Sequence, residues 1–378
     1  MPQILTLVEQ FWHKVPGGTA RATERTLAAL LDRNEFTITG LAAAHRSAAA
    51  GDAGGDPDQW ARIPTGVAVR HHRLPRPLLY ESWLRFGRPS IDQWAESDSL
   101  FWASSLIVAA TNRPVVSTVH DLDFLESPHL LSRRGRDFFP RMWRHALSRS
   151  QLFVCPSTVV AEQCARHGVD EERIRVVSWG VDRPACPANG ADDEIQRLLA
   201  DRSLAGPNLP EDFVLLVAPD QPRKNPLVCS RALEMNGCPA VIVGPEPAGT
   251  EFNHFASLGP AVMRVGTVTD RQLSALYQRA RVLLFPSLAE GFGLPVAEAM
   301  AHGLPVVTSG GTATGEVAGG AALLVDPTDI DAVGSALRAI LSDDDLHRRL
   351  AEDGVARAAD LSWESTAEKY AKIFWEVL

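Results

Sequence analysis

The sequence predicts an α/β protein built as two doubly wound halves. Three observations carry that expectation. Short apolar runs of strand length alternate with stretches of helical period throughout the 378 residues. The runs fall into two sets, divided by a Gly/Pro-punctuated link, Ser178-Trp-Gly-Val-Asp-Arg-Pro184. The length itself suits two domains better than one. Apolar strands separated by helices call for parallel sheets covered on both faces, with ligands at the carboxyl ends of the strands.

In the first half the candidate strands are Ile4–Val8, Val115–His120, Leu152–Cys155 and Ile174–Val177, with a helix over Ala20–Leu31. In the second they are Val214–Ala218, Ala240–Val243, Val262–Val265, Val282–Phe285, Pro305–Thr308 and Leu323–Val325. Polar Gly/Asp/Pro stretches at 50–58 and 187–193 read as surface loops. Ser362 is a good N-cap for a last helix, in which Trp363, Ala367, Tyr370, Phe374 and Val377 form one apolar stripe. That helix either packs on its own domain or returns to the first. The expected domains are 1–178, 183–361 and a terminal helix 362–378.

Composition excludes several classes. Hydrophobic content of 45% and charged content of 22% are those of an ordinary globular protein. Five cysteines without C-x-x-C spacing read as buried thiols in a reducing compartment. The opening Met1-Pro-Gln-Ile-Leu-Thr-Leu-Val8 lacks a basic n-region and reads as a first strand, not a signal peptide. Residues 1–180 carry 21 Lys+Arg against 19 Asp+Glu, and the remainder 16 against 27. A near-neutral half beside an acidic one argues against nucleic-acid binding.

The most informative window is Glu290-Gly-Phe-Gly-Leu-Pro-Val-Ala-Glu298. It follows the strand Val282–Phe285 and leads into a helix that Pro295 is suited to begin and Gly303 to end. Gly291, Phe292, Gly293 and Leu294 thus form a loop at a helix N-terminus, whose free N–H groups suit a phosphate. Two carboxylates beside a phosphate need other ligands, and sugar or ribose hydroxyls are natural ones. The plain alternative is an exposed acidic loop and helix start.

Pro222-Arg-Lys-Asn-Pro226 follows the strand Val214–Ala218. Arg223 as a fork and Lys224 as a point charge, one of four lysines in the chain, can neutralise a diphosphate. A solvated basic turn is the alternative. Pro16-Gly-Gly-Thr19 lies beyond the first strand, where Gly17 and Gly18 permit close backbone approach to a ligand. The pattern is not G-x-G-x-x-G, so a nicotinamide cofactor is not indicated.

His120 stands at a strand's carboxyl end, a position for catalytic groups or for a buried structural histidine. Asp121-Leu-Asp123 spells D-x-D, but no further carboxylates support a metal there, and none is expected. Six arginines between 133 and 149, interleaved with Phe138, Phe139, Met142 and Trp143, suit either a solvated amphipathic helix or an anionic membrane surface.

These motifs together resemble the retaining glycosyltransferases of family 4, which have the GT-B fold. The strongest part is Phe285-Pro-Ser-Leu-Ala-Glu-Gly-Phe-Gly-Leu-Pro-Val-Ala-Glu-Ala-Met-Ala-His-Gly-Leu-Pro-Val-Val307, continued by Glu316–Pro327. Thr118-Val-His-Asp-Leu122, Arg223-Lys-Asn225, Gly180-Val-Asp182 and Leu361-Ser-Trp363 add to it, and the first two look like the mannosyl- and rhamnosyltransferase branch. The expected layout is then two Rossmann-like domains facing a cleft, with the terminal helix crossing back to an acceptor-binding first domain.

The resemblance implies roles. Glu298 would hold the donor ribose. Glu290, with the backbone of Gly291 to Leu294, would bind the donor sugar and its phosphate. Lys224 and Arg223 would stabilise the diphosphate, Gly17 and Gly18 would approach it, and His120 would lie beside the sugar. Val268 and Asp270 would flank the base. Ala218-Pro219 departs from the Gly or Gly-Arg usual there, and Trp179 from a small or polar residue.

The implied reaction moves a sugar, mannose from GDP-mannose as first choice, to a glycan, lipid-linked or small-molecule acceptor, without metal or other cofactor. A sugar-nucleotide epimerase or hydrolase on the same fold, or a non-catalytic sugar-nucleotide binder, is the alternative. The expected location is the cytoplasm, with the 133–149 segment as the contact to the membrane's cytoplasmic face if one exists.

Overall fold

A computed structural model describes residues 1–13, 17–45, 62–128, 133–201, 209–210, 212–218, 220–245, 254–255, 258 and 261–378. The stretch 50–58, Pro16 and Pro219 lie outside the described residues. The chain divides into two compact units: Met1–Gly180 together with Trp363–Leu378, and Val181–Ser362.

The first unit holds a seven-stranded parallel sheet of β1 (Gln3–Leu7), β2 (Thr37–Ala42), β3 (Ala68–His71), β4 (Ser99–Ala103), β5 (Val115–Thr118), β6 (Leu152–Cys155) and β7 (Ile174–Val176). Their order is β3-β2-β1-β4-β5-β6-β7. The second unit holds a six-stranded parallel sheet of β8 (Val214–Val217), β9 (Ala240–Val243), β10 (Val262–Gly266), β11 (Val282–Phe285), β12 (Val306–Ser309) and β13 (Leu323–Val325), ordered β10-β9-β8-β11-β12-β13. Strand order reverses between β1 and β4 and between β8 and β11, which is where doubly wound sheets open a crevice at their carboxyl ends.

Both faces of the first sheet are covered. Leu5 and Leu7 pack into one apolar cluster with Trp83, Phe101, Val119 and Phe153, while Ile4 joins another with Phe11, Leu27, Trp102 and Phe374. Alternate residues of one strand thus serve opposite cores. The helix Trp363–Val377 completes the second of these clusters with Ala367, Tyr370, Ala371, Ile373 and Phe374. Tyr370 also exchanges a hydrogen bond with Thr118 at 2.8 Å.

Several elements differ from expectation. β2, β3 and β4 had not been read from the sequence. β2 runs through Gly40, where a Cβ would stand a tight 3.1 Å from both Val8 methyls. β3 is an edge strand, largely exposed, and so lacks an apolar run. Val119 and His120 lie beyond β5, and Ala218 beyond β8. The supposed loop at 187–193 gives way to a helix over Ala191–Asp201.

The helix Arg133–Arg149 buries Met142, Trp143 and Ala146 and leaves Arg133, Arg134, Arg136, Arg144 and Arg149 exposed. Arg141 forks onto Glu81 at 3.1 and 2.9 Å. No helix among the described residues is long and apolar enough to cross a membrane.

Candidate active site

The second unit brings its predicted residues together from the two central strands. β8 leads to a short 3-10 turn, Pro222–Lys224, and β11 leads through Pro286-Ser287 to the helix Leu294–Ala301. Lys224, 8% exposed, forms an ion pair with Glu290, also 8% exposed. Arg223 reaches the other oxygen of Glu290 at 3.1 Å. The Lys224 ammonium also lies 4.2 Å from the centroid of the Phe285 ring. Two cations and one carboxylate are thereby held at the tip of a helix.

The loop backbone explains how they are held. Leu288 donates its N–H to the Arg223 carbonyl at 2.8 Å, so the two loops are sewn together. Asn225 adopts a left-handed conformation (φ 60°, ψ 52°) and caps the following helix. Its Nδ2 donates to the carbonyls of Pro286 at 3.2 Å and Pro327 at 2.6 Å. Sequence reasoning quoted Asn225 but gave it no role.

Gly293 is the N-cap of the helix, at φ 102°. A Cβ there would stand 2.6 Å from Thr314 Cγ2, so only glycine fits. No side chain caps this helix; the Val296 N–H turns back onto the Gly293 carbonyl at 2.9 Å, and Pro295 has no N–H. Leu294 is its first residue and Pro295 its second, one position later than expected.

Glu298 lies one turn in. Its Oε2 accepts from the Tyr277 hydroxyl at 2.9 Å, and its carbonyl meets His302 Nδ1 at 2.7 Å. His302 Nε2 contacts Ser274 Oγ at 2.7 Å, and Ser274 accepts from the Cys186 N–H at 3.1 Å. Burial holds the His302 pKa below its ordinary value. Tyr277 and His302 were not singled out from the sequence. Their signal is that the chain has three tyrosines, and that His302 follows Glu298 by four residues.

Val268 and Asp270 come from the edge of this sheet, beyond β10. Thr269 between them caps the helix Asp270–Arg279 in a reciprocal capping box with Gln272. Ala218 adopts φ 49°, a left-handed conformation that favours glycine.

In the first unit, Gly17 is the N-cap of the helix Gly18–Asp32, and a Cβ on Gly17 would meet nothing within 4 Å. His120 Nε2 donates to the Ser104 carbonyl at 2.7 Å. Its Nδ1 is buried without a hydrogen-bond partner among the described residues, and Trp179 packs on the ring at 5.4 Å between centroids. Burial lowers the His120 pKa, partly countered by the Ser104 carbonyl. With Nε2–H committed, Nδ1 is left as an acceptor. Asp121 accepts from the Asp123 N–H at 3.3 Å, and no metal-ligating cluster occurs among the described residues.

The model for Glycosyltransferase Family 4 matches residues 16–183, and that for Glycosyl transferases group 1 matches residues 223–343. The chain belongs to glycosyltransferase family 4. It is 27% identical over 319 residues to the O-antigen chain mannosyltransferase B of Escherichia coli, covering 79% of this chain and 81% of that one. It is also 27% identical over 287 residues to the serotype-specific mannosyltransferase WbdA of Escherichia coli, covering 72% of this chain but 35% of that longer one. The structure of Anabaena HepE in complex with UDP-glucose aligns over all of both chains with a TM-score of 0.70 at 19% identity. The fold of this glycosyltransferase is GT-B.

Proposed function

We propose that this glycosyltransferase moves a hexosyl group, mannose from GDP-mannose, from a nucleotide diphosphate to a glycan, lipid-linked or small-molecule hydroxyl. The reading further holds that the anomeric configuration is retained and that no metal ion is needed. One observation carries it: Lys224 and Arg223 converge on Glu290 at the uncapped tip of the Leu294–Ala301 helix.

A departing diphosphate gathers negative charge as the glycosidic bond breaks. Fixed cations and helix N–H groups stabilise that charge without reorganising, which is often the largest catalytic contribution. Glu290 would orient the cations and take hydroxyls of the donor sugar. Glu298, fixed by Tyr277, would take the ribose hydroxyls. Gly17 and Gly18 would approach the diphosphate from the first domain, and Val268 and Asp270 would flank the base. His120 Nδ1 would accept from a donor-sugar hydroxyl. The mannosyltransferase relatives favour mannose, while the HepE complex shows that uridine donors suit a similar fold.

The test is turnover of GDP-mannose, dTDP-rhamnose and UDP-glucose in excess chelator. GDP-mannose is expected to turn over fastest and unaffected by chelation; loss of activity on chelation would refute metal independence. The exposed arginines of 133–149, with Phe86 exposed at 74% and Leu78 at 59% on the helix Arg76–Phe86, support contact with a cytoplasmic anionic membrane face. Equal co-sedimentation with anionic and zwitterionic vesicles would refute that contact.

A further inference from the structure

The carboxyl edge of the first sheet carries a second constellation, in which no donor role has been placed. Glu9 follows β1, His45 follows β2 and His71 ends β3, three adjacent strands. Glu9 is buried at 3% exposure. Its carboxylate accepts from the Ala43 N–H and from His45 Nε2, at 2.9 and 3.2 Å to the latter. Burying a carboxylate is costly unless it is hydrogen-bonded, so this site is built, not incidental.

His45 is thereby fixed with Nε2–H on Glu9, and Nδ1 has no hydrogen-bond partner among the described residues. Trp12 stacks flat on His45, with centroids 4.5 Å apart and planes 8° apart, and meets the His71 ring edge-on at 5.6 Å. His71 Nδ1 donates to the Ala43 carbonyl at 3.1 Å, which leaves Nε2 of this exposed residue as an acceptor. Beside them His72, 5% exposed, keeps Nε2 buried without a hydrogen-bond partner among the described residues, and burial holds its pKa down to about 4.

The arrangement is a Trp12–His45 aromatic stack with His71 standing edge-on beside it, and it carries the hydrogen-bond acceptors of both histidines. A pyranose ring has the complementary form, with apolar C–H faces and an equator of hydroxyl donors. The edge is also continuous with His120. Ser104 donates to the Leu7 carbonyl at 2.8 Å, and its own carbonyl accepts from His120 at 2.7 Å. We infer that Trp12, His45 and His71 form the subsite for the acceptor sugar, with Glu9 as a positioning residue that holds His45. The inference rests on the glycosyltransferase assignment, and it commits the acceptor to a hexopyranoside end.

The probes are the methyl α-glycosides of D-mannose, D-glucose, D-galactose and L-rhamnose, titrated against the full chain by saturation-transfer NMR at up to tens of millimolar. At least one should bind saturably. His45→Ala and Glu9→Gln should each weaken it about tenfold or more, while thermal shifts with GDP and UDP stay at wild-type size. Glu9→Gln is isosteric, and His71→Ala, at an exposed position, serves if the buried variants do not fold. Absence of binding by all four glycosides, or binding unchanged in folded His45→Ala and His71→Ala, would overturn the subsite. Intact glycoside binding without any nucleotide response would instead overturn the donor reading and leave this one standing.

Discussion

Removing the Lys224 ammonium should separate the two jobs assigned to it. In Lys224→Ala, Glu290 loses its buried partner but keeps Arg223 at 3.1 Å, itself 33% exposed. Stranding a buried charge completely costs about 3–5 kcal/mol. The surviving, solvent-screened Arg223 contact reduces that to about 1–2 kcal/mol of global stability. Turnover should suffer more. Losing one preorganised donor costs about 2.7–4 kcal/mol, a drop of roughly 10²–10³ in kcat. The assay is GDP release from saturating GDP-mannose, alongside urea unfolding of the same samples. The double variant Lys224→Ala/Glu290→Gln sharpens the comparison, because it removes the stranded charge. It should recover most of the stability and none of the turnover. A folded Lys224→Ala enzyme whose kcat stays within about threefold of the parent would refute the leaving-group role, since threefold is below 1 kcal/mol.

Three further outcomes are expected. Glu298→Ala should raise the donor KM more than it lowers kcat, because ribose contacts are made alike in ground and transition states; a pure kcat loss would count against a ribose contact. Gly293→Ala should cost about 2–4 kcal/mol, combining a positive φ with the 2.6 Å approach to Thr314 Cγ2, and an unchanged Tm would contradict that account. His120 is held neutral by burial, so its folded pKa lies below 6.5. Stability contributed by the neutral ring is complete above 6.5 and is lost as pH falls from there through the folded value. The acid limb of kcat/KM assigned to His120 should accordingly lie below 6.5, and a midpoint above that value, abolished in His120→Ala, would reverse the sign of the argument.

The second sheet was legible almost to the residue. Its strands are short and apolar, and those inside the sheet are buried on both faces, so each shows as a bounded run such as Val282–Phe285. Three of the seven strands of the first sheet, β2, β3 and β4, were not; β3 is an exposed edge without an apolar run, and the apolar pattern of β2 is diluted by Thr37, Thr39 and Gly40. The site divides in the same way. The Glu290–Glu298 loop is contiguous in sequence, so spacing alone revealed it. Asn225 earns its place from carbonyls 61 and 102 residues away, and Tyr277 from a carboxylate 21 residues away. Glu9 and His45 meet across 36 residues, beyond the ends of different strands. Such partners exist only once the topology has brought strand ends together.

The helix Trp363–Val377 has a bearing on biosynthesis. The first unit's second apolar cluster is open until Ala367, Tyr370 and Phe374 arrive, yet residues 181–362 are translated before them. The later-made domain is continuous and can close during synthesis. The earlier-made one must wait, with Phe36 and Trp102 lacking their Tyr370 and Phe374 partners, until residues 363–378 have cleared the ribosome.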